Sequence, residues 1–280
     1  MYNLIVENYR GERLQLVPNQ NYIVELEGLT DFEVVINTTV AGNSSGSKYN
    51  SSRTEERELP LSIMPRGDVE KNRIALYRYF VAEKPLKIFY KNGSRDVFIE
   101  GRVQKFGGSL FSEKETLDLS VLCPQPYWQS VSEVIADISD VLPAFSFPFS
   151  IEEAGIQFSE IERGQDKVVI NSGDVESGII IELQAEGEVI NPIIYDAYGG
   201  SFALNYTMQA GDLITINTYK GQKSVKLLRQ GKETHLFKYV ADSPTWFSLE
   251  PGDNIFTYDT ESGSELLQIR YRFFNLYEGV

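Results

Sequence analysis

The chain has 280 residues, 42% of them hydrophobic and 12% aromatic, and a formal charge of −14. That make-up buries a core and is long enough for two domains, which excludes a largely disordered protein, and the carboxylate excess excludes a general affinity for duplex DNA, which depends on Lys and Arg displacing counterions. No apolar run approaches the roughly 18 residues that a membrane helix needs, one histidine (His235) excludes a His-based metal cluster, and one cysteine (Cys123) excludes an internal disulfide.

Charge divides the chain. Residues 1–125 hold 16 Lys and Arg against 17 Asp and Glu, whereas residues 126–280 hold 10 against 23, so the acidity belongs to the second half. The opening, MYNLIVENYRGERL, turns polar too early for a signal-peptide core, and export by that route is not expected.

The first strands, LIVENY and RLQLV, flank a turn at Asn8–Gly11, and in NYIVELEGL the residues Tyr22, Val24 and Leu26 share one face. A further strand, FEVVINTTV, follows at once. Residues 41–58, AGNSSGSKYNSSRTEERE, then lose all apolar periodicity. A loop this long inside a compact domain is usually functional or disordered, and a solvated hairpin tip is the plainer alternative. Order returns in LPLSIMP, where Leu59, Leu61 and Ile63 point one way. Asp68 stands where an N-cap belongs, and Leu76, Tyr77, Phe80 and Val81 recur at helical spacing before Pro85, which predicts one amphipathic helix. Its basic residues Lys71, Arg73 and Arg78 suit a solvated or interface surface. Asn92 and Gly93 turn a hairpin between LKIFY and DVFIEGRV, and TLDLSVLC completes the domain, since Pro124 and Pro126 cannot continue a sheet.

Residues 129–165 have interior prolines and no sustained period, and are read as an extended connector. From Val168 onward glycines recur at 187, 199, 211, 221 and 231 between the strand-like segments LITIN, KSVKLL, THLFKY, NIFTY and ELLQIRYRFF. Short strands at this spacing predict a β-sandwich or jelly roll. The expected domains are therefore 1–128, a connector 129–165, and 166–280.

Chemistry is hard to place on this pattern. Carboxylates are plentiful, but none forms a pair at a defined spacing, and Glu152–Glu153 point in different directions in an extended chain. A Ser-His-Asp triad could use only His235, inside THLFKY, and Gly231–Lys232 is followed by Glu233 rather than Ser or Thr, so the phosphate-cradling loop is absent. Cys123 has no cationic neighbour in sequence and reads as a buried thiol. No catalytic residue, cofactor or metal ligand is assigned. Among the aromatic residues of the second half, Trp246 and Tyr198 are the candidates for facing a carbohydrate, although core packing is the commoner use of such residues in a sandwich.

Two stretches together resemble one family. Gly46, Tyr49, Ser52–Arg53, Arg57, Leu59–Ile63, the helix, Gly101 and the junction Leu122–Trp128 are similar to the N-terminal domain of distal tail (Dit) proteins of long, non-contractile-tailed phages. Asn171–Gly173, Gly187, Asn191–Pro192, Gly211–Asp212 and Leu249–Asn254 resemble that family's C-terminal galectin-like sandwich. The resemblance implies a mainly β fold: an N-terminal β-sandwich-like domain with one α-helix, then a galectin-like or jelly-roll β-sandwich. It also implies a non-catalytic homohexameric ring, with N-terminal domains around the DNA channel and C-terminal domains projecting outward. Such a ring joins the tail tube protein to a tail-associated tip or fibre protein or a receptor-binding protein. The location implied is the virion tail tip after synthesis in the bacterial host cytoplasm, with no specific nucleic-acid binding and no membrane. By the same resemblance the loop 41–58 is the arm through which neighbouring subunits embrace, with Tyr49, Arg53, Glu55, Glu56 and Arg57 as inter-subunit residues. The alternative is a carbohydrate-binding or receptor-binding module that recognises host cell-wall sugars through the C-terminal domain.

Overall fold

A computed structural model describes residues 2–40, 42, 45–109, 114–137, 141–143, 159–161 and 167–280. The chain forms two compact units, one of Met1–Val131 with Leu276–Val280 and one of Ser132–Asn275. Among the described residues the structure is mainly β, with a single α-helix.

In the first unit the strands are β1 (Asn3–Glu7), β2 (Arg13–Val17), β3 (Tyr22–Leu26), β4 (Val34–Thr39), β5 (Lys48–Thr54), β6 (Arg57–Pro65), β7 (Pro85–Lys91), β8 (Asp96–Ser109), β9 (Thr116–Cys123) and β10 (Trp128–Ser130). Seven of them form one sheet in the order β2-β1-β7-β8-β9-β6-β3, with β10 and the C-terminal strand Leu276–Tyr277 attached off that path. The end strands β2 and β3 approach one another, so the sheet curls around its core. Period-two alternation puts Leu59, Leu61 and Ile63 of β6 beside Leu117, Leu119 and Val121 of β9, all buried. Each such side chain contributes about 1.5–3 kcal/mol on leaving water. The helix α1 (Val69–Leu76) starts at Asp68, whose carboxylate accepts the Lys71 N–H at 3.3 Å. It stops at Leu76 rather than running on to Val81; residues 77–80 form turns that still bring Phe80 into the core. The strand β9 ends at Cys123, directly before the two prolines.

The second unit is a sandwich. One sheet runs in the order Val134–Asp137, Leu267–Phe273, Ile180–Ala185, Leu213–Asn217, Ser224–Arg229, Lys232–His235. The other runs Lys167–Asn171, Gly252–Asp259, Ile193–Asp196, Ser201–Ala203. Their inner faces share one core, in which Leu267, Ile269, Tyr271 and Phe273 from the first sheet meet Val169, Ile194, Phe202 and Phe256 from the second. Three details differ from the sequence expectation. Val134–Asp137 of the expected connector is a strand of this unit; Leu276–Tyr277 belongs to the first unit; and THLFKY is not one strand, because the chain turns into a short 3₁₀ helix at Phe237–Tyr239 once Leu236 is buried. The rest of the connector falls largely outside the described residues.

Candidate functional site

Where the sequence loses its periodicity, the structure builds a β-ribbon. Strands β4 and β5 pair antiparallel from Val34↔Thr54 to Thr39↔Lys48, with a register shift at Asn37/Thr38, and form a two-stranded sheet of their own. Polar side chains lace the strands together: Asn50 Nδ2 donates to Thr39 Oγ1 at 2.7 Å, and Asn37 Nδ2 to Ser51 Oγ at 3.1 Å. The Tyr49 and Ser52 hydroxyls lie 2.8 Å apart. All six residues of β4 are exposed, so among the described residues neither face of the ribbon is covered. Val35, Ile36, Val40 and Tyr49 are exposed at 37%, 61%, 72% and 59%. An isolated hairpin gains too little from its own contacts to be more than marginally stable in water, and an uncovered apolar ribbon is a surface suited to another chain.

The base of the ribbon is fixed differently. Glu55 N–H donates to Glu33 O at 2.8 Å, and the Thr54 and Tyr127 hydroxyls meet at 3.0 Å. Arg53 reaches Glu55 at 2.8 Å in a pair open to solvent, and Glu56 is exposed. Arg57, which the sequence reading grouped with these residues, lies apart from them, only 4% exposed. Its Nε donates to Pro126 O at 2.7 Å, its Nη1 to Gly28 O at 2.8 Å and its Nη2 to Glu278 O. The guanidinium thus holds three segments distant in sequence. Burial lowers its pKa, and the nearby carboxylates of Asp31 and Glu278 offset part of that. Gly28 is required beside it: its φ is +78°, and a Cβ there would stand 2.5 Å from Glu58 O. A sequence signal for Arg57 did exist, since the alternation of Leu59, Leu61 and Ile63 extended backward puts residue 57 on the buried face.

The other candidates stand elsewhere. Cys123 is fully buried, and burial pushes its thiol up to about 12, with Arg57 offsetting part of the shift. It is therefore a protonated packing residue. Trp246 is half-buried, in edge contact with Phe202 at 5.2 Å and stacked on Phe237 at 5.8 Å, whereas Tyr198 is 85% exposed on the turn after Ile193–Asp196. Both belong to one corner of the second unit, where Thr245 Oγ1 accepts the Ser201 N–H at 3.2 Å, but no ring contact joins them among the described residues. His235 is exposed on the edge strand. Among the described residues no cluster of His, Cys, Asp or Glu could hold a metal ion, and no helix is long and apolar enough to cross a membrane.

Residues 172–273 match the SPP1 Dit family model, described as a siphovirus-type tail component, C-terminal domain. No curated protein sequence matches the chain. Among solved structures, the fold is similar to the Dit protein of phage SPP1, described as a paradigm of the hub adsorption apparatus in phages infecting Gram-positive hosts. The TM-score is 0.70 at 12% identity, covering 99% of both chains. It is also similar to chains of the phage P2 baseplate in its activated conformation with Ca and with Sr, at TM-scores of 0.56 and 0.57, each at 9% identity over 100% of both chains. At these identities the likeness establishes the fold.

Proposed function

We propose that the chain is a non-catalytic hub subunit of a phage tail tip. In this reading copies assemble into a homohexameric ring around the DNA channel and join the tail tube to tip, fibre or receptor-binding components. The observation that carries it is the ribbon β4–β5, whose exposed Val35, Ile36 and Tyr49 no described residue covers, on a fold matched end to end by a phage hub protein. A ribbon from one subunit laid on the next is a heterologous contact, and such a contact gives a closed ring when its rotation returns to the first subunit. Its unpaired backbone edges and Tyr49 supply pairing and apolar contact, while Arg53, Glu55 and Glu56 set charge complementarity at its base. Arg57 is assigned to the subunit's own fold.

Negative-stain imaging of the purified chain, alone and mixed with tail tube protein, tests the reading. Closed six-fold rings, or rings capping tube ends, are expected at high protein concentration, since assembly follows mass action. A chain that stays monomeric alone and also fails to join tail partners would sink it.

A further inference from the structure

We infer that the edge strand Lys232–His235 of the second unit, with the groove beside it, is a docking site for an acidic, extended segment of a partner protein. The inference rests on this unit's fold and surface charge, and not on ring formation. Of the ten Lys and Arg residues after Gln125, six fall between Lys220 and Lys238, a stretch in which Glu233 is the only acid. In a half of the chain that is otherwise strongly negative, this is a concentrated positive field. The groove, of about 550 Å³, is lined by Arg229, Lys232, His235, Lys238, Tyr206 and Tyr239 among others, with no carboxylate in its lining.

The geometry separates spent charges from free ones. Arg229 is committed to Asp212, its Nε donating to the carboxylate at 2.7 Å, and Lys226 pairs with Glu233 at 2.9 Å. Lys232 and Lys238 are exposed and make no ion pair among the described residues; the Lys238 ammonium stands 4.7 Å over the Tyr239 ring. Backbone is open as well among the described residues. Lys232–His235 ends the six-stranded sheet, and all four of its residues are exposed. The two-residue turn Gln230–Gly231, with φ of 51° and 76°, makes Arg229↔Lys232 the first hydrogen-bonded pair. By antiparallel alternation Glu233 and His235 then turn their N–H and C=O groups outward. Lysines on an open edge repel most incoming strands. A strand carrying Asp or Glu converts that repulsion into selection, pairing through its backbone while its acids meet Lys232 and Lys238.

The test uses the full chain and a fluorescein-labelled decapeptide alternating Glu with Thr and Val, read by anisotropy at low salt. Micromolar-range binding is expected, with no binding by the same peptide carrying Lys for Glu. N-methylation at alternate peptide nitrogens, which removes backbone donors and keeps the charge, should weaken binding about tenfold or more, the equivalent of about 1.4 kcal/mol. The variant K232E/K238E, changed only at exposed positions, should keep its melting temperature and lose about tenfold or more. Absence of binding to the Glu peptide overturns the proposal, as does equal binding of the N-methylated peptide. Dextran sulfate binding that K232E/K238E abolishes, without peptide binding, would assign the groove to an anionic glycan instead and equally overturn it.

Discussion

Arg57 shows how one residue can decide local structure without touching chemistry. Its guanidinium satisfies carbonyls at Gly28, Pro126 and Glu278, so a Leu in its place would leave one buried and two part-buried acceptors without it. We expect Arg57→Leu to destabilise the first unit by roughly 2–5 kcal/mol, read from urea unfolding. Two residues of the second unit make opposite tests. Tyr271 is fully buried and stacked on Phe256, yet its hydroxyl has no partner among the described residues. Tyr271→Phe should therefore leave stability unchanged or raise it by about 1 kcal/mol, because an unsatisfied polar atom is removed without loss of ring packing. Asp212 is also fully buried, but it is paired. Burial alone would raise its pKa; hydrogen bonds from Arg229 and from the Gln209 N–H outweigh that and lower it. A lowered folded-state pKa gives stability that is present above the ordinary carboxylate range and lost as pH falls through the folded value. Asp212→Asn should thus cost roughly 1.5–3 kcal/mol at pH 7 and progressively less in strong acid.

At the scale of elements, the ribbon and the helix mark what the sequence could and could not convey. Strands with one buried face, such as β6 and β9, print their alternation in Leu, Ile and Val and are legible directly. The strand β5 is not, because a ribbon exposed on both faces imposes no apolar period, and KYNSSRT reads as loop. The tail FNLYEGV carries no local sign that it will pair with Trp128–Ser130, since that partnership is set by contacts far away in sequence. The recurrence of Leu76 and Phe80 overstated the helix because a turn of similar spacing serves packing equally well. The same geometry gives an element-scale prediction. Glu33 and Glu55 are already hydrogen-bonded at the ribbon's base, so residues 34–54 can be replaced by a two-residue turn. That variant loses the Thr54–Tyr127 hydroxyl contact along with exposed surface, so its stability should fall by no more than about 1.5 kcal/mol. Extending the deletion through Arg57 should instead destabilise the unit, because it removes the clamp as well as the arm.

Across the whole molecule, charge and exposure divide the labour. A charge-balanced first unit carries an exposed ribbon with uncovered Val35, Ile36 and Tyr49, and an acidic second unit carries one concentrated basic edge. The candidate arm was legible as an interruption of pattern, and the assembly role proposed for it came from the ordered resemblance rather than from any single motif. The basic edge was present in the sequence as six cations in nineteen residues, yet only the fold shows that Lys232 and Lys238 make no ion pair among the described residues while Arg229 and Lys226 are spent. Self-assembly through the ribbon is the claim on which the functional reading turns. Light-scattering mass of the intact chain and of the variant lacking residues 34–54, at matched high concentration, measures it most directly. The intact chain should run as a closed hexamer and the variant as a folded monomer; hexamers of equal stability from both would contradict the role given to the arm.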